Sequence, residues 1–145
     1  MFLTAVVLAA ISGCSMLPGA NRADARRIID LNGTWQVAQG SMDAMPEAFE
    51  HEVPVPGLLD MAEPAFEDVG KKSERREAFW YRRTFDLKGA SPEVAVLKIH
   101  KAKYGTKVWL NGRVVGEHLP CFTPCYLDVK DALKFAGERN ELIVR

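Results

Sequence analysis

The sequence predicts an all-β fold, a β-sandwich of the jelly-roll type. Three observations carry that reading. From Leu31 onward apolar and polar residues alternate with a period of two, as half-buried strands require. At least seven such short segments follow one another with turn signals between them, and little of the chain shows helical spacing. One turn is Asn111-Gly112 between two apolar segments, and both positions of a tight hairpin turn need positive φ.

The elements follow in order. Asn32-Gly33 opens a first strand, on which Trp35 and Val37 share a face. Residues 40–46 read as a loop. Phe49, His51, Val53 and Val55 alternate with Glu50 and Glu52 as a second strand. Pro54 and Pro56 confine it to an edge or an end, because proline cannot donate to a ladder. Residues 57–77 lose the alternation and are rich in acids and bases, with a helical turn expected over 58–62. A loop of that length in a small domain tends to be functional or disordered. The stretch FWYRRTFDL, residues 79–87, places Phe79, Tyr81, Arg83 and Phe85 on one side and Trp80, Arg82 and Thr84 on the other. Adjacent Arg82 and Arg83 thus face opposite ways, and at least one is expected to be inward or paired. Residues 89–92 break the chain. Residues 94–101 form the next strand, with Ala95, Leu97 and Ile99 inward. Residues 104–110 and 113–116 make the Asn-Gly hairpin, and 126–129 one more strand. Asp128 is placed to cap a short helical turn over 130–135. Residues 137–140 turn, and 141–145 begin a strand with no turn or polar tail after it. The expectation is a jelly roll incomplete at its C-terminus, with an unpaired edge that invites aggregation.

A chain of 145 residues is one domain's worth, and 48% hydrophobic residues suffice for a core. Lysine plus arginine equal aspartate plus glutamate, 19 against 19, so no net basic character argues for nucleic acid. The cluster Lys71, Lys72, Arg75 and Arg76 is interrupted by Glu74 and Glu77 and reads as a solvated loop. Residues 2–11 are an apolar run too short to span a bilayer, which needs about 20 residues. They fit the apolar core of an export signal. The run ends in Ile11-Ser12-Gly13-Cys14, which resembles the bacterial lipobox. Residues 1–14 are then a lipoprotein signal with Cys14 acylated and the membrane as partner; the alternative is a plain cleavable signal. Ser15 after the cysteine points, by the same resemblance, to outer-membrane sorting. Residues 15–29 are a polar tether, and the domain occupies 30–145.

The motifs LNGTW (31–35), VPG (55–57, after Pro54), FWYRRTFDL (79–87), VWLNGRVVGEH (108–118) and NELIVR (140–145) stand in an order that resembles a known family. It is the N-terminal sugar-binding domain of glycoside hydrolase family 2, which includes β-galactosidases, β-glucuronidases and β-mannosidases. The resemblance covers roughly residues 31–145. It implies a galactose-binding-like jelly roll, followed in the family by an immunoglobulin-like domain and a (β/α)₈ barrel. The barrel carries the two catalytic glutamates of a retaining mechanism. This chain therefore has no assignable catalytic residue and no implied cofactor or metal, and it is expected to be the front part of a longer protein. The resemblance implies a bracing role, with the loop after the VPG segment leaning toward a sugar pocket.

On that loop Asp60, Glu63, Glu67 and Asp68 are the candidates to hydrogen-bond sugar hydroxyls; the alternative is four solvated acids. Leu58-Leu59 stands where the family commonly has polar or aromatic residues. Trp35, Trp80 and Trp109 are either sugar-stacking platforms or sandwich core, in which case each buried indole N–H needs a partner. Cys121 and Cys125 are four residues apart, about 13 Å in an extended chain and beyond the roughly 7 Å a disulfide tolerates. A tight turn at Thr123-Pro124 would allow the bridge, and export permits oxidation. Two free thiols packed as small hydrophobes are the alternative. His118 with the two cysteines gives three ligands at irregular spacing, short of a zinc set, and nothing nearby in sequence orients His118 for a Cys-His nucleophile. The resulting reading is a non-catalytic, carbohydrate-binding or scaffolding domain of an exported glycoside hydrolase. The alternatives are a stand-alone carbohydrate-binding surface lipoprotein and an interaction module that binds no sugar.

Overall fold

The computed structural model describes residues 26–72 and 78–145. Cys14, the signal segment and most of the tether lie outside the described residues, as do Arg75 and Arg76. Leu31–Arg145 forms one compact unit.

Eight strands build it: β1 (Gly33–Gly40), β2 (His51–Val55), β3 (Ala78–Asp86), β4 (Val96–Ile99), β5 (Thr106–Leu110), β6 (Arg113–His118), β7 (Cys125–Asp128) and β8 (Arg139–Val144). No α-helix occurs among the described residues; two 3₁₀ turns, Leu59–Met61 and Lys130–Ala132, are the helical pieces. Six strands form one sheet in the order β2-β1-β3-β8-β5-β6, and β4 pairs with β7 in a second sheet. Each pairing is antiparallel. This is a β-sandwich with one large and one small layer, as the alternation predicts.

The inner face of the large sheet is apolar, and its outer face carries a second apolar cluster. On the inner face Trp35, Val37, Val53, Val108, Leu110 and Leu142 are buried. Leu97 and Ile99 of β4 and Leu127 of β7 pack onto them from the small sheet. On the outer face Ala38, Ala78, Trp80 and Ile143 form a second cluster with Phe49, and Trp109 packs beside it. Phe49 thus differs from the sequence expectation. It precedes β2 and covers the outer face, whereas Val53 within β2 faces the inner one. The segment between β1 and β2 arches over the sheet, and Ser41 offers its carbonyl to the Trp80 indole N–H at 3.0 Å.

β8 lies between β3 and β5 and is hydrogen-bonded to both. One more expectation is corrected. The helical turn after β7 ends at Ala132, not at residue 135. Asp128 does satisfy its start, accepting the Lys130 N–H at 3.1 Å.

Asn111 and Gly112 have φ of 52° and 79°, the left-handed pair that a two-residue hairpin needs. The Asn111 side chain does more than turn the chain. Its Nδ2 donates to the Ala132 carbonyl (2.7 Å) and to Asn140 Oδ1 (2.9 Å), and its Oδ1 accepts the Glu141 N–H (2.9 Å). Asn140 is completely buried and exchanges hydrogen bonds with the Lys134 backbone in both directions at 2.8 Å. Two asparagines therefore bolt the hairpin, β8 and the segment after the second 3₁₀ turn together.

Candidate functional site

The long loop after β2 begins with a reversal that its sequence dictates. Gly57 follows Pro56, and a Cβ there would sit 2.3 Å from the Pro54 carbonyl oxygen, an impossible contact with backbone. Only glycine lets the chain double back so closely. The chain then makes the 3₁₀ turn Leu59–Met61 and returns to β2. Glu52 and Glu63 exchange backbone hydrogen bonds at 2.8 Å in both directions. Glu52 thus points its N–H and C=O away from β1. Pro54, two residues on, shares that orientation, so its missing N–H costs the β1–β2 ladder nothing.

The loop is pinned further along. Ala62 is buried, and Leu59 and Phe66 pack against the inner core. The Phe66 ring stacks on His51 with centroids 3.9 Å apart and meets Phe79 edge-on at 5.3 Å. His51 Nδ1 donates to the Pro64 carbonyl at 2.5 Å. Leu59 explains why a leucine pair stands here: it faces the core, while Leu58 is exposed. Gly57→Ala is expected to destabilise the domain by about 1–3 kcal/mol. It should also free the Glu52 and Glu63 amides to exchange hydrogen; amide exchange with unchanged protection at both positions would contradict this.

Asp60, Glu63, Glu67 and Asp68 are all exposed along this pinned segment. The Asp68 carboxylate pairs with Lys71 at 3.8 Å, and both side chains are well solvated. Asp60 sits in the first 3₁₀ turn. Glu63 is committed through its backbone to the sheet edge, and its side chain remains in solvent. The four acids are arrayed along one segment and do not form a metal-binding group, nor does any other set among the described residues. A shallow concavity of about 260 Å³ is lined by Ala38, Gln39, Ala48, Glu50, His51 and Phe66, and by none of the four acids.

The tryptophans divide between the two faces. Trp35 is buried and donates to the Leu31 carbonyl at 2.8 Å. Trp80 is buried on the opposite face and lies 5.1 Å, centroid to centroid, from half-buried Trp109. Lys107 and Arg145 stand over the Trp109 ring at 5.6 and 5.9 Å. Arg82 lies over Phe49 at 4.3 Å and donates to Gln36 Oε1 at 2.9 Å, whereas Arg83 donates to the Thr34 carbonyl. Both arginines are thus partnered, one on each face.

Lys107 also binds Glu117 at 2.7 Å across the hairpin. That hydrogen bond and the lysine's charge hold the Glu117 carboxyl below its ordinary value. A carboxylate held down in the folded state adds stability above its unfolded titration range and loses it as the pH falls through the folded one. The Glu117 side chain is well exposed, and solvent screening keeps this contribution small. NMR titration is expected to show Glu117 protonating at a lower pH than a free glutamate, and Lys107→Met to restore the ordinary midpoint.

The loop from β6 to β7 holds its cysteines apart. Both are free thiols: Cys125 is buried on β7 opposite Ile99, and Cys121 is exposed. Cys121 Sγ accepts the Tyr104 N–H at 3.2 Å, so each sulfur has its own surroundings and no bridge forms between them. Burial pushes the Cys125 thiol up. His118 does have an orienting partner, Thr123 Oγ1 at 2.8 Å, but it belongs to the exposed loop.

The asparagine network was hidden from sequence reading. Asn140 looks like one more turn residue, and only the fold shows it buried. Arg113 meets Asp128 and Asp131, more than a dozen residues further on, at a second concavity in the same way.

Residues 56–145 match the family described as the glycosyl hydrolase 2 galactose-binding domain-like family. Among curated proteins none matches this chain in sequence. Several solved structures are similar. A β-glucuronidase from Faecalibacterium prausnitzii is 30% identical over 80% of this chain and 20% of its own, with a TM-score of 0.57. The Bifidobacterium dentium β-glucuronidase complexed with coumarin-3-O-glucuronide is 24% identical over 79% of this chain and 19% of its own, with a TM-score of 0.60. A β-glucuronidase from Ruminococcus gnavus is 22% identical over 79% and 20%, with a TM-score of 0.56. The present chain spans about a fifth of the length of these structures. The family match runs from the VPG reversal through the Asn-Gly hairpin to β8, the elements that carry the sandwich, and the chain belongs to the glycosyl hydrolase 2 galactose-binding domain-like family.

Proposed function

We propose that this chain is the non-catalytic, sugar-facing domain of an exported glycoside hydrolase acting on β-glycosides. The observation that carries the reading is the family match together with the pinned loop after β2. That loop presents Asp60, Glu63, Glu67 and Asp68 on a fixed segment, which suits a wall offered to a neighbouring sugar site. In this reading the hydrolytic carboxylates belong to a barrel domain of the same enzyme, and an immunoglobulin-like domain joins the two. The test uses the native gene product, captured from producing cells with an antibody against the β-sandwich. The captured product is expected to cleave p-nitrophenyl β-glycosides, and the 145-residue chain alone to cleave none. Cleavage by the isolated chain, or an inert native product, overturns the assignment.

Export and anchoring form a separate part of the proposal. Cys14 in Ile11-Ser12-Gly13-Cys14 is the acylated residue, and the domain is tethered to the outer membrane of the cell envelope. Two or more acyl chains give stable membrane residence, at about 0.8 kcal/mol for each buried methylene. Cys14→Ala is expected to abolish incorporation of labelled palmitate and to move the product out of the membrane fraction. Unchanged labelling would exclude Cys14 as the site.

A further inference from the structure

Arg113, Asp128 and Asp131 converge on a concavity of about 290 Å³ whose remaining walls are Val114, Val115 and Ala132. Three separate elements supply these groups. Arg113 opens β6 directly after the Asn-Gly turn, Asp128 ends β7, and Asp131 lies in the second 3₁₀ turn. Their positions are fixed by backbone. Arg113 Nη1 donates to the Asp131 carbonyl at 2.7 Å, Asp128 Oδ1 accepts the Lys130 N–H at 3.1 Å, and Asn111 holds the Ala132 carbonyl at 2.7 Å. Among the described residues no ion pair joins Arg113 to Asp128 or to Asp131. A guanidinium with spare N–H donors and two carboxylates with spare lone pairs therefore line one space without neutralising each other.

We propose that this concavity binds a single neutral sugar ring, an assignment that rests on the reading of the chain as carbohydrate-directed. The ligand must donate to the carboxylates and accept from the guanidinium, and a hydroxyl does both. Vicinal hydroxyls match the fork of a carboxylate or a guanidinium. Val114, 55% exposed, offers an apolar surface to the C–H face of the ring. The volume falls just below the roughly 300 Å³ at which ordinary ligand pockets begin, which suits one ring and not an extended chain. Two negative charges face one positive charge, so a uronate is disfavoured against the corresponding neutral glycoside. Solvent and salt keep that discrimination modest.

The experiment is an NMR titration of the full chain at low ionic strength with methyl β-glucoside, β-galactoside, β-mannoside and β-glucuronide. At least one neutral glycoside is expected to bind in the roughly millimolar range. Its shifts should centre on the amides of Val114, Val115 and Ala132, and the glucuronide should bind at least about threefold more weakly. Arg113→Ala and Asp131→Asn should each weaken binding about tenfold, while Glu47→Gln, on the exposed segment between β1 and β2, leaves it unchanged. Circular dichroism confirms that each variant is folded, and the shift map of the unsubstituted chain serves if one is not. Shifts centred on the loop after β2, or binding retained in both variants, overturn this site and leave the carbohydrate reading standing. A glucuronide that binds more tightly overturns the neutral-sugar assignment. No binding of any glycoside overturns the site, while the placement in a glycoside hydrolase is decided by the activity of the native product.

Discussion

Replacing Asn140 with alanine is expected to cost about 3–5 kcal/mol, a large share of the 5–15 kcal/mol that holds a typical domain together. The side chain is completely buried and takes part in four hydrogen bonds, two accepted by Oδ1 and two donated by Nδ2. Truncation strips the Lys134 N–H and carbonyl and one N–H of Asn111 of a buried partner. Each stranded group carries a penalty of about 1–3 kcal/mol. Asn140→Asp is a sharper probe. The carboxyl keeps the Oδ1 acceptor but faces the Lys134 and Glu138 carbonyls, so the folded protein should hold it protonated above its unfolded range. A group raised on folding stabilises fully below its unfolded titration point and loses that contribution as the pH rises through the folded one. Chemical denaturation is therefore expected to show this variant losing stability between acid and neutral pH, relative to the unsubstituted chain. Parallel pH profiles would remove Asn140 from its place at the centre of the network.

Trp80→Ala is the second large effect, about 3–5 kcal/mol. Trp80 is 2% exposed on the outer face, where Ala38, Phe49, Ala78 and Ile143 surround it and Trp109 lies alongside. Removing the indole opens a cavity and strands the Ser41 carbonyl. The segment between β1 and β2, which that carbonyl ties to the sheet, should then exchange its amides faster. Trp80→Phe separates the two terms, since it keeps most of the packing and loses only the hydrogen bond. It is expected to cost about 1–2 kcal/mol. If denaturant melts place both variants within 0.5 kcal/mol of the parent, roughly the spread of neutral surface changes, the outer cluster is not part of the stabilising core.

The sandwich was legible because its segments mostly alternate and because Asn111-Gly112 leaves few options to the backbone. Pro54 likewise announces an edge, and β2 is one. Less legible was anything that depends on which segments become neighbours. Residues 141–145 read only as the beginning of a strand, yet β8 occupies the interior of the large sheet. Phe49 keeps the alternation of β2 in sequence but sits beyond its start, where the chain has already turned to the other face. Asn140 carries no local sign of burial, since its partners Asn111 and Lys134 reach it from two other elements. The candidate acids show the reverse limit. Their positions on a long loop were plain from composition, whereas the anchoring of that loop by Gly57, Ala62 and Phe66 belongs to the three-dimensional arrangement.

The bridge between Glu52 and Glu63 has a consequence for self-association. Fibrous growth by strand addition requires a layer that can recruit a neighbour on both flanks. On the β2 flank the outward groups of Glu52 are already taken, and Pro54 offers no donor in the next outward position. Recruitment through the large layer is thereby restricted to the β6 flank. Two molecules joined there would each present a blocked far side of the large layer, so strand addition through that layer stops at a pair.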